Sequence, residues 1–266
     1  MALGVLRNAP SMSDVRVAGS GLSVLSLRLE VAHSGPDWPV VSIDVDGHDP
    51  FREVADGWLG FDPAEMLGDA SPLLPTSFGQ RVAVKRCSCG EAGCGVIAPV
   101  IVASPDGRRI SWIDFRDYTG VFIGPLCDEA KDYEGTPWSL PDMHFDRAQY
   151  AAEVARARAD RSWESPRRRV ARLVHEQLSA VGATVPPNLE LRRVGPTWGT
   201  DGFSVCLAFA HIVREPEYSV DRQMLELSSS AENPDSAASE IVERLLGEFP
   251  DDWARLFGYD PSMGRR

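Results

Sequence analysis

From Leu25 the chain alternates, with Leu25, Leu27, Leu29 and Val31 on one face and Ser26, Arg28 and Glu30 on the other. Val41, Ile43 and Val45 repeat the pattern against Ser42, Asp44 and Asp46. A period of two belongs to a strand with one buried face, so two paired strands are expected. Residues 50–58 and 63–67 suit short helices. They precede a strand meander over 81–86, 96–102 and 109–115, whose second turn, Pro105-Asp106-Gly107, has the residues a tight turn requires. Between Asp117 and His144 Gly, Pro and Asp recur without a period, and an irregular stretch of that length suits a lid or a binding surface.

The period then lengthens to that of helices. Asp146 is placed to cap a helix reaching about residue 161, with Gln149 completing a capping box and Phe145 stapled onto Tyr150. Ser165-Pro166 opens a second helix, its stripe formed by Val170, Leu173, Val174, Leu178 and Val181, with Arg168, Arg172 and His175 opposite. Three strands follow at 189–194, 203–212 and 223–228, the middle one apolar on both faces and therefore central. Asn233-Pro234 starts a last helix that turns Ala237, Ile241, Val242, Leu245 and Leu246 inward and stops at Pro250. The expected fold class is α+β, in two domains with mainly antiparallel sheets and flanking helices. Residues 1–11 show no periodicity and form a flexible extension, 12–163 make an α+β domain, and 164–266 make an α-β-β-β-α domain.

Composition narrows the function classes. The 266 residues are 43% hydrophobic and 25% charged, which is the balance of a globular protein. No apolar run approaches the roughly 20 residues that span a bilayer, and the first 20 residues lack a basic end followed by an apolar core, so a cytoplasmic location without membrane contact is expected. A net charge of −12 disfavours nucleic acid and favours a basic protein partner. The one arginine cluster, Arg156 to Arg172, lies among Glu153, Asp160, Glu164 and Glu176 and is expected to be salt-bridged rather than a nucleic-acid site. Asp44, Asp46 and Asp49 invite a calcium or magnesium reading, yet strand alternation already explains Asp44 and Asp46 as outward residues before a Gly turn. His211, in an apolar strand, is read as a hydrogen-bonded core histidine.

The densest chemistry is Arg86-Cys87-Ser88-Cys89-Gly90-Glu91-Ala92-Gly93-Cys94-Gly95, three thiols within eight positions at a hairpin tip. Glycines let such a loop turn until sulfurs converge on one ion. Cys87, Cys89 and Cys94 are therefore the candidate metal ligands, with zinc the candidate ion and Cys127 or His144 the candidate fourth donor. The spacing departs from paired C-x-x-C half-sites. The reading preferred from sequence is three reduced cysteines packed as small apolar groups around a tight turn, with no cofactor assigned.

The hairpin, the strand Trp112-Ile113-Asp114-Phe115, the opening Phe145-Asp146-Arg147-Ala148-Gln149-Tyr150 and Gly60-Phe61-Asp62-Pro63 together resemble an actinobacterial family of uncharacterised proteins. That family carries a Cys-x-Cys-Gly-x-x-Gly-Cys hairpin followed by a Trp-x-x-Phe strand. The resemblance spans about residues 22–178 and implies no activity, ligand set or partner. No nucleophile elbow, phosphate loop, dinucleotide fingerprint or H-E-x-x-H helix occurs, so no catalytic residue is assigned. The function expected from sequence is a non-enzymatic protein-binding or regulatory, immunity-type protein. The alternatives are a zinc-stabilised ligand-binding module or an enzyme of unrecognised type.

Overall fold

The structure is a computed structural model that describes residues 21–31, 35, 37–68, 71–76, 78–181, 189–211 and 222–258. The extension expected at 1–11 and the side chain of His211 lie outside the described residues. The fold is α+β, with three antiparallel sheets and flanking helices. Two compact units are present, Met1–His33 with Trp38–Ser162, and Ser34–Asp37 with Trp163–Arg266.

In the first unit, β1 (Leu25–Val31) and β2 (Pro39–Val45) pair from Leu25↔Val45 to Val31↔Pro39 and bury Leu25, Leu27, Val41 and Ile43. The outer edge of β1 is closed by the side chains of a helix, α2 (Arg147–Ala159). Gln149 Oε1 accepts from the Leu25 N–H at 3.3 Å and its Nε2 donates to the Leu25 carbonyl at 2.8 Å. Glu153 accepts from the Leu27 N–H at 2.6 Å, and Arg156 donates to the Leu27 carbonyl. Residues 149, 153 and 156 share one helix face, so a single face satisfies an edge that would otherwise template another strand. Gln149 thus serves β1, while Asp146 caps α2 alone by accepting from the Gln149 N–H at 3.0 Å. The expected staple is present, with Phe145 and Tyr150 ring centres 5.4 Å apart.

A mixed-length antiparallel sheet carries the rest of the unit. It contains β3 (Gln80–Arg81), β4 (Lys85–Arg86), β5 (Val96–Ala103), β6 (Arg109–Tyr118), β7 (Thr136–Pro137) and β8 (Met143–Asp146). The path runs β3-β5-β6-β7, with β4 also on β5 and β8 also on β6. The strand expected over 81–86 is broken in two. Pro99 offers β5 no N–H, the register shifts between Ala98 and Val100, and the Ala83 N–H leaves the sheet for the Pro125 carbonyl at 2.9 Å. Arg81 fills the irregularity by donating to the Ala98 carbonyl at 2.8 Å and the Asp114 carbonyl at 2.7 Å, where Asp114 takes φ 49°. The helix expected at 50–58 is replaced by single turns, because Asp49 ties the Phe51 N–H at 2.8 Å and Gly57 reverses the chain at φ 74°. The second short helix forms as α1 (Pro63–Met66), capped by Asp62 with Pro63 in its first turn.

Trp112, Phe145 and Tyr150 are fully buried together, the Trp112 ring standing 5.7 Å from Phe145 and 6.4 Å from Tyr150. The Tyr150 hydroxyl accepts from Trp112 Nε1 at 3.1 Å and donates to the Leu73 carbonyl at 2.7 Å, and burial pushes its phenol far above the ordinary range. Tyr150→Phe strands an indole N–H and a carbonyl in an apolar site. A loss of about 1–3 kcal/mol is expected in urea unfolding. An unshifted midpoint would show that the hydroxyl is not needed there.

In the second unit α3 (Pro166–Val181), β9 (Leu189–Pro196), β10 (Phe203–His211), β11 (Arg222–Ser229), α4 (Pro234–Leu246) and α5 (Trp253–Phe257) follow in order. The sheet order is β11-β10-β9, with β10 central as its apolar character requires. Val205, Leu207 and Phe209 pack with Val170, Val174, Leu178, Ile241, Leu245 and Trp253. Cys206 and Ala208 alternate with them and are half-buried. Arg168, expected on the solvent face, is buried instead. Its guanidinium donates to the Asp37 carbonyl at 3.0 Å and lies 5.2 Å above the Trp163 ring, so charge and stem both find partners. Helix α4 ends at Leu246, ahead of Pro250, and Trp253 Nε1 donates to the Leu245 carbonyl at 3.0 Å, beside the Glu248 N–H at 3.3 Å.

Candidate metal centre

The cysteine hairpin joins β4 to β5. At its base the Cys87 N–H donates to the Gly95 carbonyl at 2.9 Å. The Gly90 N–H returns to the Cys87 carbonyl at 2.9 Å, a turn that needs the φ of 88° Gly90 adopts. A short 3₁₀ segment, Ala92–Cys94, completes the loop. Ala92 and Gly95 face inward, and the Gly120 N–H holds the Gly93 carbonyl at 2.8 Å. A Cβ on Gly95 would stand 3.2 Å from the Trp58 ring, which itself packs edge-on to Trp138 at 5.9 Å. The preceding strand is anchored as well, since Arg86 exchanges backbone bonds with Leu59 at 2.8 and 2.9 Å and its Nε donates to the Gly60 carbonyl at 3.1 Å.

Two successive turns on this base bring the sulfurs of Cys87, Cys89 and Cys94 within 4.8 Å of one another. Cys87 is half-buried, while Cys89 and Cys94 are exposed. The apolar packing expected of these cysteines is therefore replaced by Ala92 and Gly95, the small residues that turn inward. Bonding from the Cys89 N–H, then from the neighbouring thiols, holds Cys87 below the usual thiol range. Cys94 is pushed up to about 11, because its proton is shared with the Cys87 and Cys89 sulfurs and a second negative charge beside them is unfavourable. Joint ionisation of three sulfurs so close is unfavourable, and a cation among them removes that penalty.

No family model, curated protein or solved structure matches this chain. Neither candidate for a fourth ligand joins the cluster. The Cys127 thiol contacts the Val121 carbonyl and the Glu129 carboxylate, each at 3.3 Å, and burial raises its pKa. His144 lies on β8 with Nδ1 2.9 Å from Ser111 Oγ. The fifth cysteine, Cys206, belongs to the second unit, where burial pushes its thiol up to about 11. All five cysteines are free thiols.

Most of the other acidic and basic groups singled out from sequence have local partners. Asp44 pairs with Arg28 at 2.6 Å, Asp46 accepts from the Val24 N–H at 2.9 Å, and Asp49 pairs with Lys85 at 3.0 Å. Arg156 meets Glu153, Arg167 meets Asp37, Arg169 meets Asp235, and Arg172 meets Glu164 and Glu176. One neighbour of the hairpin gave no sequence signal. Asp117 Oδ1 is buried without a hydrogen-bond partner, 3.7 Å from the place of a Gly95 Cβ, and burial holds this carboxyl above its usual range. Strand alternation gives it no mark that separates it from an outward-facing aspartate.

Proposed function

We propose that this protein binds a thiophilic metal ion through Cys87, Cys89 and Cys94, with zinc as the reference ion. The supporting observation is the convergence of the three sulfurs within 4.8 Å. A zinc–thiolate bond of about 2.3 Å in a tetrahedral site separates its sulfurs by about 3.8 Å, so small side-chain rotations bring this set onto one ion. Thiolate donors select zinc or monovalent copper over hard cations. Displacing thiol protons by a cation also relieves the crowding that raises Cys94. A basic protein partner, by contrast, is supported by the charge of −12 alone, a property of the whole chain rather than of a site.

The test is a titration of metal-free, reduced protein with zinc, followed by urea unfolding. One ion per chain is expected, and zinc at about 100 times its Kd should add about 2.7 kcal/mol to the unfolding free energy. Cys87→Ser, Cys89→Ser and Cys94→Ser should each remove most of that gain, while Cys206→Ser retains it. Wild-type protein that takes up no more zinc than Cys87→Ser would refute the reading.

A further inference from the structure

Three protein sulfurs would hold the ion in the metal reading above, and the fourth position determines what such a site does with it. We propose, resting on the metal reading above, that this position is open to solvent. The ion is then cargo, exchanged with a thiolate of another molecule, rather than the sealed centre of a structural knuckle. All five cysteines are accounted for. Cys127 is engaged with Val121 and Glu129, and Cys206 sits on β10 of the second unit. The imidazole of His144 is tied to Ser111 on the ladder between β6 and β8. Among the described residues the cluster therefore has three members.

Approach is unobstructed. Cys89 and Cys94 are exposed, and a Cβ built on Gly90 meets nothing within 4 Å. On Gly93 it meets only the Phe122 carbonyl at 3.8 Å. A closed structural site surrounds its ion with four protein donors and releases it when one of them dissociates, whereas a three-donor site keeps one coordination position for a water or a substrate. An incoming thiolate takes that position, forming a metal–sulfur bond as the metal–water bond breaks. Each metal–sulfur bond to the protein then breaks in turn as a further thiolate of the acceptor or a water takes its place on the ion, and the released protein sulfur takes up a proton from solvent. No electron changes hands, so no oxidant or reductant is required. The incoming donor is soft and sulfur-based, because an ion that selects three thiolates prefers a fourth.

Cobalt(II) reports both claims, since its visible bands distinguish four sulfurs from three sulfurs and an oxygen. Loaded protein is titrated with 2-mercaptoethanol, and transfer of the ion to dithiothreitol is followed by stopped flow. The expected result is a band shift on adding 2-mercaptoethanol, a transfer rate rising in proportion to dithiothreitol, and an unchanged starting spectrum in Cys127→Ser and in His144→Ala. Bands that ignore 2-mercaptoethanol, a rate independent of dithiothreitol, or a starting spectrum altered by either variant would overturn the open position while leaving metal binding intact. A wild-type protein that develops no thiolate–cobalt bands at all removes the metal reading itself, and the exchange with it.

Discussion

Gly60→Ala is expected to destabilise the first unit by at least about 3 kcal/mol, as an overpacked position with no room to relax. A Cβ at residue 60 would stand 1.9 Å from the Val41 carbonyl oxygen and 2.8 Å from its carbon. Both obstacles are backbone, so no side-chain rotation relieves the contact. The surrounding bonds make the approach obligatory. The Val41 N–H donates to the Phe61 carbonyl at 2.8 Å, Leu59 and Arg86 exchange two backbone bonds, and the Gly60 carbonyl receives Arg86 Nε. Moving the segment by an ångström loosens β2 and, through Arg86, the base of the cysteine hairpin. Urea unfolding measures the effect, with a midpoint shift of about 1–3 M at the slopes usual for domains of this size. Gly57→Ala is the control. It adopts φ 74° but has nothing within 4 Å, so it carries only backbone strain of about 1–2 kcal/mol. A Gly60→Ala midpoint no lower than that of Gly57→Ala would show that the close approach is not rigid.

What was legible in the sequence follows from how local each signal is. Alternation from Leu25 and from Val41 placed both strands and their pairing, because one buried face imposes a period of two whatever lies opposite; the antiparallel register is visible only in the structure. Asp146 and Asn233 gave their helix starts correctly, since a cap is decided within four residues. The failures depend on distant partners. Gln149 looked like half of a capping box, and only the unpaired edge of β1, more than a hundred residues earlier, explains why its amide turns away. Arg168 looked solvent-facing until Asp37 and Trp163 supplied its partners. At the site, the identity of the three cysteines was readable, but their convergence was not. It depends on two consecutive turns, on Ala92 and Gly95 taking the inward positions, and on the Gly120 N–H holding the tip. The suggested fourth ligands failed for the same reason, since proximity along a loop says nothing about which carbonyl or carboxylate already holds a thiol.

Asp49→Ala is expected to cost about 3 kcal/mol, and Lys85→Met less than about 1 kcal/mol, although the two variants break the same ion pair. Lys85 is 5% exposed, with Nζ 3.0 Å from Asp49 Oδ2, 3.5 Å from the Trp58 carbonyl and 5.8 Å from the centre of the Phe51 ring. Removing the carboxylate leaves a buried ammonium with one long carbonyl contact and a ring face, and it also frees the Phe51 N–H that Asp49 Oδ1 accepts at 2.8 Å. The Asp49 side chain is 32% exposed, so water reaches the pair from one side and the cost falls at the low end of that for buried pairs. Lys85→Met keeps most of the aliphatic stem that fills the space and removes the charge that needs a partner. The double variant separates the two contributions to the Asp49→Ala loss. If the stranded ammonium dominates, Asp49→Ala/Lys85→Met is more stable than Asp49→Ala by about 2 kcal/mol, a coupling expected between residues in contact. If the double variant is no more stable than Asp49→Ala, the loss lies in the turn at Phe51 and the buried charge is not the cause. Lys85 precedes Cys87 by two residues, so cobalt bands unchanged in Lys85→Met would further show that the ion pair does not tune the hairpin's sulfurs.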